Sequence, residues 1–380
     1  MSLSQQNRRR WFWILFGLLV LFFFLYRSDK PQTQTTLNQQ VMGTATASAQ
    51  PSQTPSLAKW YEAYFTAPKI PFDNVYMGGI EQYLIQKIDS ARDSIDVAVF
   101  EFDIESVAQA LIRAKDRGVN VRIVYDNEHT DSDPQMGEMI AAGISAVPDE
   151  RSAFMHNKFF VFDDTCVWTG SFNISMNAAY RNNENALYFC SAEAAQNYAA
   201  EFEEMYDSKF GPTSPSDTPH PKFQVSGVFI ENYFASEDNV MEKVIRTVSS
   251  ADTSVHFMAY SFTDDDLAKA MIDAAGRGVS VEGIFETTGA NTQYSECGSL
   301  LQKGYDIRLD GNPRTFHHKV IIIDDETVIL GSFNFSSNAD SQNDENLLIV
   351  HDPSLAAAYE QQYQLMKSQA VVLSGNTCSK

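Results

Sequence analysis

The sequence predicts an α/β protein of two similar domains, each a mixed β-sheet flanked by helices, packed with pseudo-twofold symmetry around one active site. Three observations lead there. Ser94–Phe100 and Ser254–Tyr260 are strand-like runs, each followed by apolar residues at helical spacing and then by a second strand. The second copy trails the first by an offset of 160 residues. A polar set of His, Lys, Gly, Ser and Asn recurs at the same internal spacing in both copies, while the apolar residues between exchange freely. Repeats kept only for packing would show the reverse.

The chain opens with a different material. Arg8, Arg9 and Arg10 precede the uncharged apolar run Trp11–Tyr26. That run is slightly shorter than the roughly 20 residues that cross a bilayer, and Arg10 and Arg27 can snorkel to cover the difference. Residues 1–27 are therefore expected to be a cytoplasmic basic start and a single transmembrane signal-anchor, with the folded region extracytoplasmic. A cleaved signal peptide competes, since Ala47-Ser48-Ala49 resembles a cleavage site, but that triplet lies far beyond the apolar run. Residues 28–70, with the Gln/Thr/Ser/Pro-rich stretch Pro31–Ser56, read as a flexible linker.

The first domain is expected over residues 71–212. Ile80, Tyr83, Leu84 and Ile88 mark an amphipathic helix, and the strand at 94–100 follows. Ile104, Val107, Ala108, Leu111 and Ile112 mark the next helix, which stops at Arg117-Gly118 before the strand Val119–Tyr125. Asp126–Met155 reads as loop-rich. Its acidic stretch (Asp126, Glu128, His129, Asp131, Asp133) reads as a solvated rim, because it lacks the glycine and terminal glutamate of an EF-hand loop. A helix with Tyr198, Phe202 and Met205 closes the half, and residues 213–221, rich in Pro and Ser, form the expected linker. The second domain, 222–370, repeats the order. Val240, Val244, Ile245 and Val248 open it, and Leu267, Ala268, Met271 and Ile272 lead to Arg277-Gly278 and the strand Val279–Phe285. Glu286–Phe316 reads as loop-rich, and Asp352-Pro353 starts a closing helix with Leu355, Tyr359, Tyr363 and Met366. Residues 371–380 read as a tail.

Twenty-eight Lys and Arg against 49 Asp and Glu give a formal charge of −21. Because the first thirty positions hold five of the cations and one acid, the rest is more acidic still. Such a body argues against a broad nucleic-acid footprint, though not against a small positive site. Cys166, Cys190, Cys297 and Cys378 lack metal-ligand spacing. Cys166 and Cys190 fall on strand-like segments of one half and are either a disulfide or two buried thiols. No metal or other cofactor is expected.

The chemistry lies in the recurring polar set. His156-Asn157-Lys158 enters the apolar run Phe159–Phe162 and ends at Asp163; His317-His318-Lys319 enters Val320–Ile323 and ends at Asp324. Strand alternation puts each His and Lys on one face and turns Asn157 and His318 away. The runs are apolar on both faces and read as central strands, so each pair opens from a stiff strand end. Gly170-Ser171-Phe172-Asn173 and Gly331-Ser332-Phe333-Asn334 follow a return strand. The glycines allow close approach of backbone to a ligand, and Ser171, Ser332, Asn173 and Asn334 offer neutral hydrogen bonds. Brought together, the two sets suit a phosphoryl transition state. Lys158 and Lys319 neutralise the non-bridging oxygens, one histidine attacks phosphorus, and the other protonates the leaving oxygen. Asp163 and Asp324 read as structural turn residues. Glu184 and Glu345, each eleven residues past its motif asparagine, can hold the second nitrogen of an imidazole.

Both segments resemble the histidine-lysine-aspartate signature of the phospholipase D superfamily, and the resemblance extends over roughly Tyr76 to Lys367. It implies a phosphohistidine intermediate at the interface of the halves, with His156 as nucleophile and His317 as general acid and then base. The sequence alone leaves the two histidines equivalent. It also implies phosphate-binding roles for Lys158, Lys319, Asn173 and Asn334, and a catalytic role for Glu184 and Glu345. The expected function is metal-independent hydrolysis of phospholipid headgroups, since a membrane tether sets the site near lipid. The alternatives are an extracytoplasmic endonuclease and a cardiolipin synthase-like phosphatidyl transferase. Expected partners are the phospholipid or other phosphodiester and the membrane. A monomer is expected because both motifs lie in one chain.

Overall fold

Two β-sheets form where the repeat places them. The computed structural model describes residues 59–373 and 377–379, so the expected anchor and most of the expected linker lie outside the described residues. The first sheet holds β1 (Tyr61–Phe65), β2 (Ser94–Val99), β3 (Asn120–Tyr125), β4 (Ser145–Pro148), β5 (Phe159–Phe162), β6 (Cys166–Gly170) and β7 (Asn185–Cys190). Their order across it is β1-β7-β6-β5-β2-β3-β4. The second sheet holds β8 (Lys222–Val225), β9 (Val228–Ala235), β10 (Ser254–Ala259), β11 (Ser280–Phe285), β12 (Asp306–Leu309), β13 (Lys319–Ile323), β14 (Thr327–Gly331), β15 (Glu345–His351) and β16 (Val371–Val372). Its order, β16-β12-β11-β10-β13-β14-β15-β9-β8, contains the first sheet's order with one added strand at each edge. In both sheets β2–β3–β4 and β10–β11–β12 pair in parallel and the rest antiparallel, which is the mixed sheet expected.

Helices cover both faces of each sheet. Helices α1 (Glu81–Ser90) and α2 (Glu105–Asp116) close the outer face of the first sheet. The buried residues of α2, Val107, Ala108, Leu111 and Ala114, recur at helical spacing, so one stripe faces the sheet. Between the sheets lie α3 (Ala192–Tyr206) and, after α4 (Val240–Ser249) and α5 (Asp265–Gly276) on the outer face of the second sheet, α6 (Pro353–Gln369). A single core cluster joins Tyr198 and Phe202 of α3, Tyr359 and Tyr363 of α6, and the inward residues Phe159, Val161, Val320 and Ile322 of the two central strands. Ala58–Lys380 is accordingly one compact unit. The arginine of each Arg-Gly stop has a packing reason. Arg117 donates to the carbonyls of Ile88 and Ala91, and Arg277 to those of Ser249 and Ala251, which satisfies carbonyls at the end of the neighbouring helix.

Several expectations need correction. The expected linker extends to residue 70, yet β1 pairs along its length with β7, while Trp60 Nε1 donates to Asp352 Oδ2 at 2.7 Å. The tail at 371–380 begins with β16, which pairs with β12, and Cys378 forms a disulfide with Cys297. Cys166 and Cys190 stand opposite each other in the β6–β7 ladder and are also bonded. The loop-rich stretches hold short helices (Asn127–Thr130, Pro134–Ala141, Thr287–Ala290, Cys297–Gln302) and the parallel strands β4 and β12. Asp126 is buried rather than a solvated rim residue: its carboxylate caps the first of those helices at His129 N and meets His129 Nδ1 at 2.8 Å. Among the described residues no group of acidic, His or Cys side chains is arranged to hold a metal ion, and no helix is long and apolar enough to cross a membrane.

Candidate active site

His156 and His317 lie on the approach to the central strands β5 and β13, and each approach is clamped by the opposite half. His156 N donates to Asp344 O and His317 N to Asn183 O, both at 2.9 Å. Parallel bridges Met155–Asp344 and Asn183–Phe316 complete the clamps. The imidazoles are held across the same boundary. His156 Nδ1 lies 2.7 Å from Glu345 Oε2, and His317 Nδ1 lies 2.9 Å from Glu184 Oε2. Each glutamate therefore serves the histidine of the other half. With Nδ1 engaged, Nε2 is the nitrogen of each ring left to face phosphorus.

These four side chains and the motif lysines Lys158 and Lys319 are all buried. Lys158 Nζ donates to His156 O at 2.6 Å and lies 4.8 Å from the centre of the Phe100 ring; Lys319 Nζ donates to His317 O at 3.0 Å and lies 4.6 Å from the Tyr260 ring centre. Phe100 and Tyr260 also meet their own histidines edge-on, at 4.7 and 4.8 Å between ring centres. They are site residues the motif search missed, although their matching places at the ends of the repeated strands carried the signal.

Burial disfavours every charge here. It drives both imidazoles well below their usual range, helped by the lysine charges of both halves. Neutral imidazole is the form in which a ring nitrogen can attack. Burial also lowers Lys158 to about 8 and Lys319 to about 7, against the pull of the glutamates. The same burial raises Glu184 and Glu345 to about 8, against the pull of the lysines and of their hydrogen bonds. A bound phosphodiester anion would favour the charged lysines.

The remaining motif residues divide. Ser171 Oγ donates to Glu184 Oε2 at 2.6 Å and Ser332 Oγ to Glu345 Oε2 at 2.7 Å. A hydroxyl has one proton, so these serines position the glutamates and do not offer that proton to phosphate, contrary to expectation. Asn173 and Asn334 each have a buried side-chain oxygen without a partner; this atom can only accept, so a phosphate oxygen would have to be met by the amide nitrogen instead. Gly170 and Gly331 adopt φ of +143° and +152°, and a Cβ on either would run into the carbonyl oxygen of Asn185 or Asn346. Asp163 and Asp324 are taken up by backbone amides. Asp163 accepts from the backbone of Arg92, Asp93 and Ser94, and Asp324 from Asp252, Thr253 and Ser254.

Asn157 and His318 also face away, into the seam between halves. Asn157 Oδ1 accepts from Asn346 Nδ2 at 2.8 Å, and His318 Nδ1 meets Asn185 Nδ2 at 3.0 Å. The residue between His and Lys is thus a bolt across the interface.

The family description "cardiolipin synthase, PLD-like domain" matches residues 84–206 and 244–367, one match for each half of this site. The chain belongs to the phospholipase D-like family. As an enzyme it is a phospholipase D-like phosphodiesterase. This phospholipase D-like chain is 31% identical over 160 residues to a phospholipase D of Rickettsia bellii, covering 40% of this chain and 80% of the relative. It is 36% identical over 125 residues to a mitochondrial cardiolipin hydrolase of Xenopus tropicalis, covering 33% of this chain and 59% of that relative. The solved structure of phosphatidylserine synthase from Haemophilus influenzae Rd KW20 shares the fold with a TM-score of 0.60 at 17% identity, over 84% of this chain and 89% of that one.

Proposed function

We propose that the protein hydrolyses phospholipid headgroups by two displacements at phosphorus. His156 Nε2 attacks the phosphodiester; an N–P bond forms, the P–O bond to the headgroup breaks, and His317, protonated once the substrate anion offsets the burial and lysine charges that hold its ring neutral in the free enzyme, gives its Nε2 proton to the departing oxygen. Now neutral, His317 takes a proton from water, the hydroxyl oxygen attacks phosphorus, and the N–P bond breaks to release phosphatidic acid. Lys158 and Lys319 balance charge on the non-bridging oxygens, while Asn173 and Asn334 orient them. Glu345 and Glu184 keep the two rings oriented and stabilise positive charge on them.

The crossed histidine–glutamate pairs carry this proposal, because they hold one imidazole from each half in the same protonation geometry. The acidic body supports a lipid over a long nucleic acid. Two disulfides support an oxidising, extracytoplasmic compartment, and the apolar run Trp11–Tyr26 supports residues 1–27 as a single-pass anchor. The test is headgroup release from phosphatidylcholine and phosphatidylglycerol in mixed detergent micelles, beside cleavage of a single-stranded oligonucleotide, with EDTA throughout. Release of headgroup without oligonucleotide cleavage is the expected result; the opposite pattern rejects the lipid substrate, and loss of all activity in EDTA rejects the metal-independent step.

A further inference from the structure

The two halves differ at the edge of the site. In the second half, β9 passes to α4 through residues 236–239, Ser-Glu-Asp-Asn. In the first, β1 passes to α1 through the far longer segment 66–80. An extended connection in one of two matched halves, beside a reaction centre, is where a function is added.

This segment starts at the catalytic machinery. Thr66 N donates to Glu184 O at 3.1 Å, and Glu184 N donates to Thr66 Oγ1 at 2.7 Å, so its first residue is stitched to the glutamate that holds His317. From there it exposes apolar side chains in succession: Ile70 is 46% exposed, Val75 54% and Met77 78%. Beneath it lies a cavity of about 440 Å³, walled in part by Phe72, Val75, Tyr76, Met77, Tyr180 and Arg181. Arg181 lies 5.9 Å from the ring centre of Phe72 and 5.4 Å from that of Tyr76, and it donates to the Tyr76 hydroxyl. Gln342 holds the matching place in the other half, so the cation too belongs to one side only. The charges within the segment, Lys69 and Asp73, are paired with each other.

A neutral, apolar, exposed strip on a strongly acidic protein is anomalous unless something apolar covers it. We infer that segment 66–80 and its cavity form the subsite for the acyl-glycerol part of the substrate, with Ile70, Val75 and Met77 entering the lipid surface beside the catalytic mouth. The inference rests on the proposed lipid hydrolysis and adds the element that would select lipid over other phosphodiesters. A polynucleotide could stack bases on Phe72 and Tyr76 but would leave the exposed Ile70, Val75 and Met77 uncovered, and the acidic counterpart at 236–239 offers no such strip.

The full-length chain and the double variant V75D/M77D are compared on dioleoyl phosphatidylglycerol in mixed micelles and on water-soluble bis(p-nitrophenyl) phosphate. Both substituted residues are exposed, so the fold should be unaffected, with the soluble substrate as the check. The expected result is a micellar KM raised about tenfold or more with the soluble rate unchanged. Parental kinetics of the variant on micelles would overturn the inference while leaving lipid hydrolysis standing, and so would an equal loss on both substrates. If the parent releases no headgroup, the lipid hydrolysis itself fails and the inference falls with it.

Discussion

Above about pH 8, where Glu345 is ionised, replacing it by glutamine removes one charge and almost no volume. Glu345 is fully buried, 2.7 Å from His156 Nδ1, and also accepts from Ser332 Oγ at 2.7 Å and Asn343 Nδ2 at 3.2 Å. Attack on phosphorus leaves positive charge on the His156 ring. Unit charges about 4 Å apart at an effective dielectric of about 20 attract by about 4 kcal/mol. Half that charge in the transition state loses about 2 kcal/mol on substitution, so kcat should fall about 30-fold, and about 1000-fold if charge separation is complete. Stability should hold, since a buried amide is less costly to desolvate than a carboxylate. The assay is turnover of bis(p-nitrophenyl) phosphate with acid-quenched detection of phosphohistidine. Its nitrophenolate leaves without protonation, so E345Q should slow formation of the intermediate, whereas E184Q, which acts through His317, should let it form and then accumulate. Accumulation in E345Q instead would exchange the roles of the histidines. A folded E345Q with kcat within about threefold of the parent would refute the crossed-pair mechanism.

Four further outcomes are expected. His156→Ala and His317→Ala should each lower kcat at least about 1000-fold on phospholipid, with melting temperatures near the parent's; near-parental turnover in either contradicts a shared site. As pH rises through the range from about 7 to about 8, Lys319 and Lys158 lose their protons in the free enzyme; Glu184 and Glu345 ionise in the same range, but loss of the anion-binding cations should lower kcat/KM there, while kcat, measured on the complex with its phosphate anion, holds to higher pH. A pH-independent kcat/KM up to strongly alkaline conditions would exclude charged lysines from binding. Gly331→Ala, at φ +152° with a carbonyl in the path of the new Cβ, should cost about 2 kcal/mol or more in urea denaturation. Asp324→Ala should cost about 2–4 kcal/mol while leaving activity per folded molecule intact. Partial burial alone would raise the Asp324 pKa, but the backbone hydrogen bonds of Asp252, Ser254 and Thr253 carry it below the usual range. Its stabilising share is therefore present above the ordinary aspartate pKa and is lost as pH falls through the lowered one, which acid titration of the D324A variant against the parent would reveal.

Much of this was legible because duplication prints the same chemistry twice. His156, Lys158 and Asn173 stand out only when His317, Lys319 and Asn334 repeat their spacing, and the apolar runs behind them follow strand rules. The partner of each glutamate was not legible. Glu184 and Glu345 sit at identical places in their own halves, and equal spacing cannot say which imidazole lies across the seam. Strand β1 was lost because five residues after a long polar stretch carry too little pattern, and its pairing partner β7 is far along the chain. The Cys297–Cys378 bond spans 81 residues and leaves no local trace. The serines misled because a hydroxyl near a phosphate site looks like a ligand until the glutamate beside it takes the proton.

Crossed bracing makes the connection at 213–221 dispensable for chemistry but the seam indispensable. A chain cut there would yield two fragments, each holding a histidine without its glutamate and a glutamate without its histidine. Neither should turn over alone, and mixing them should restore turnover with a concentration dependence that reports seam affinity directly. By the same logic, a substitution at Asn157 or Asn346, remote from any phosphorus, should register as a defect in rate.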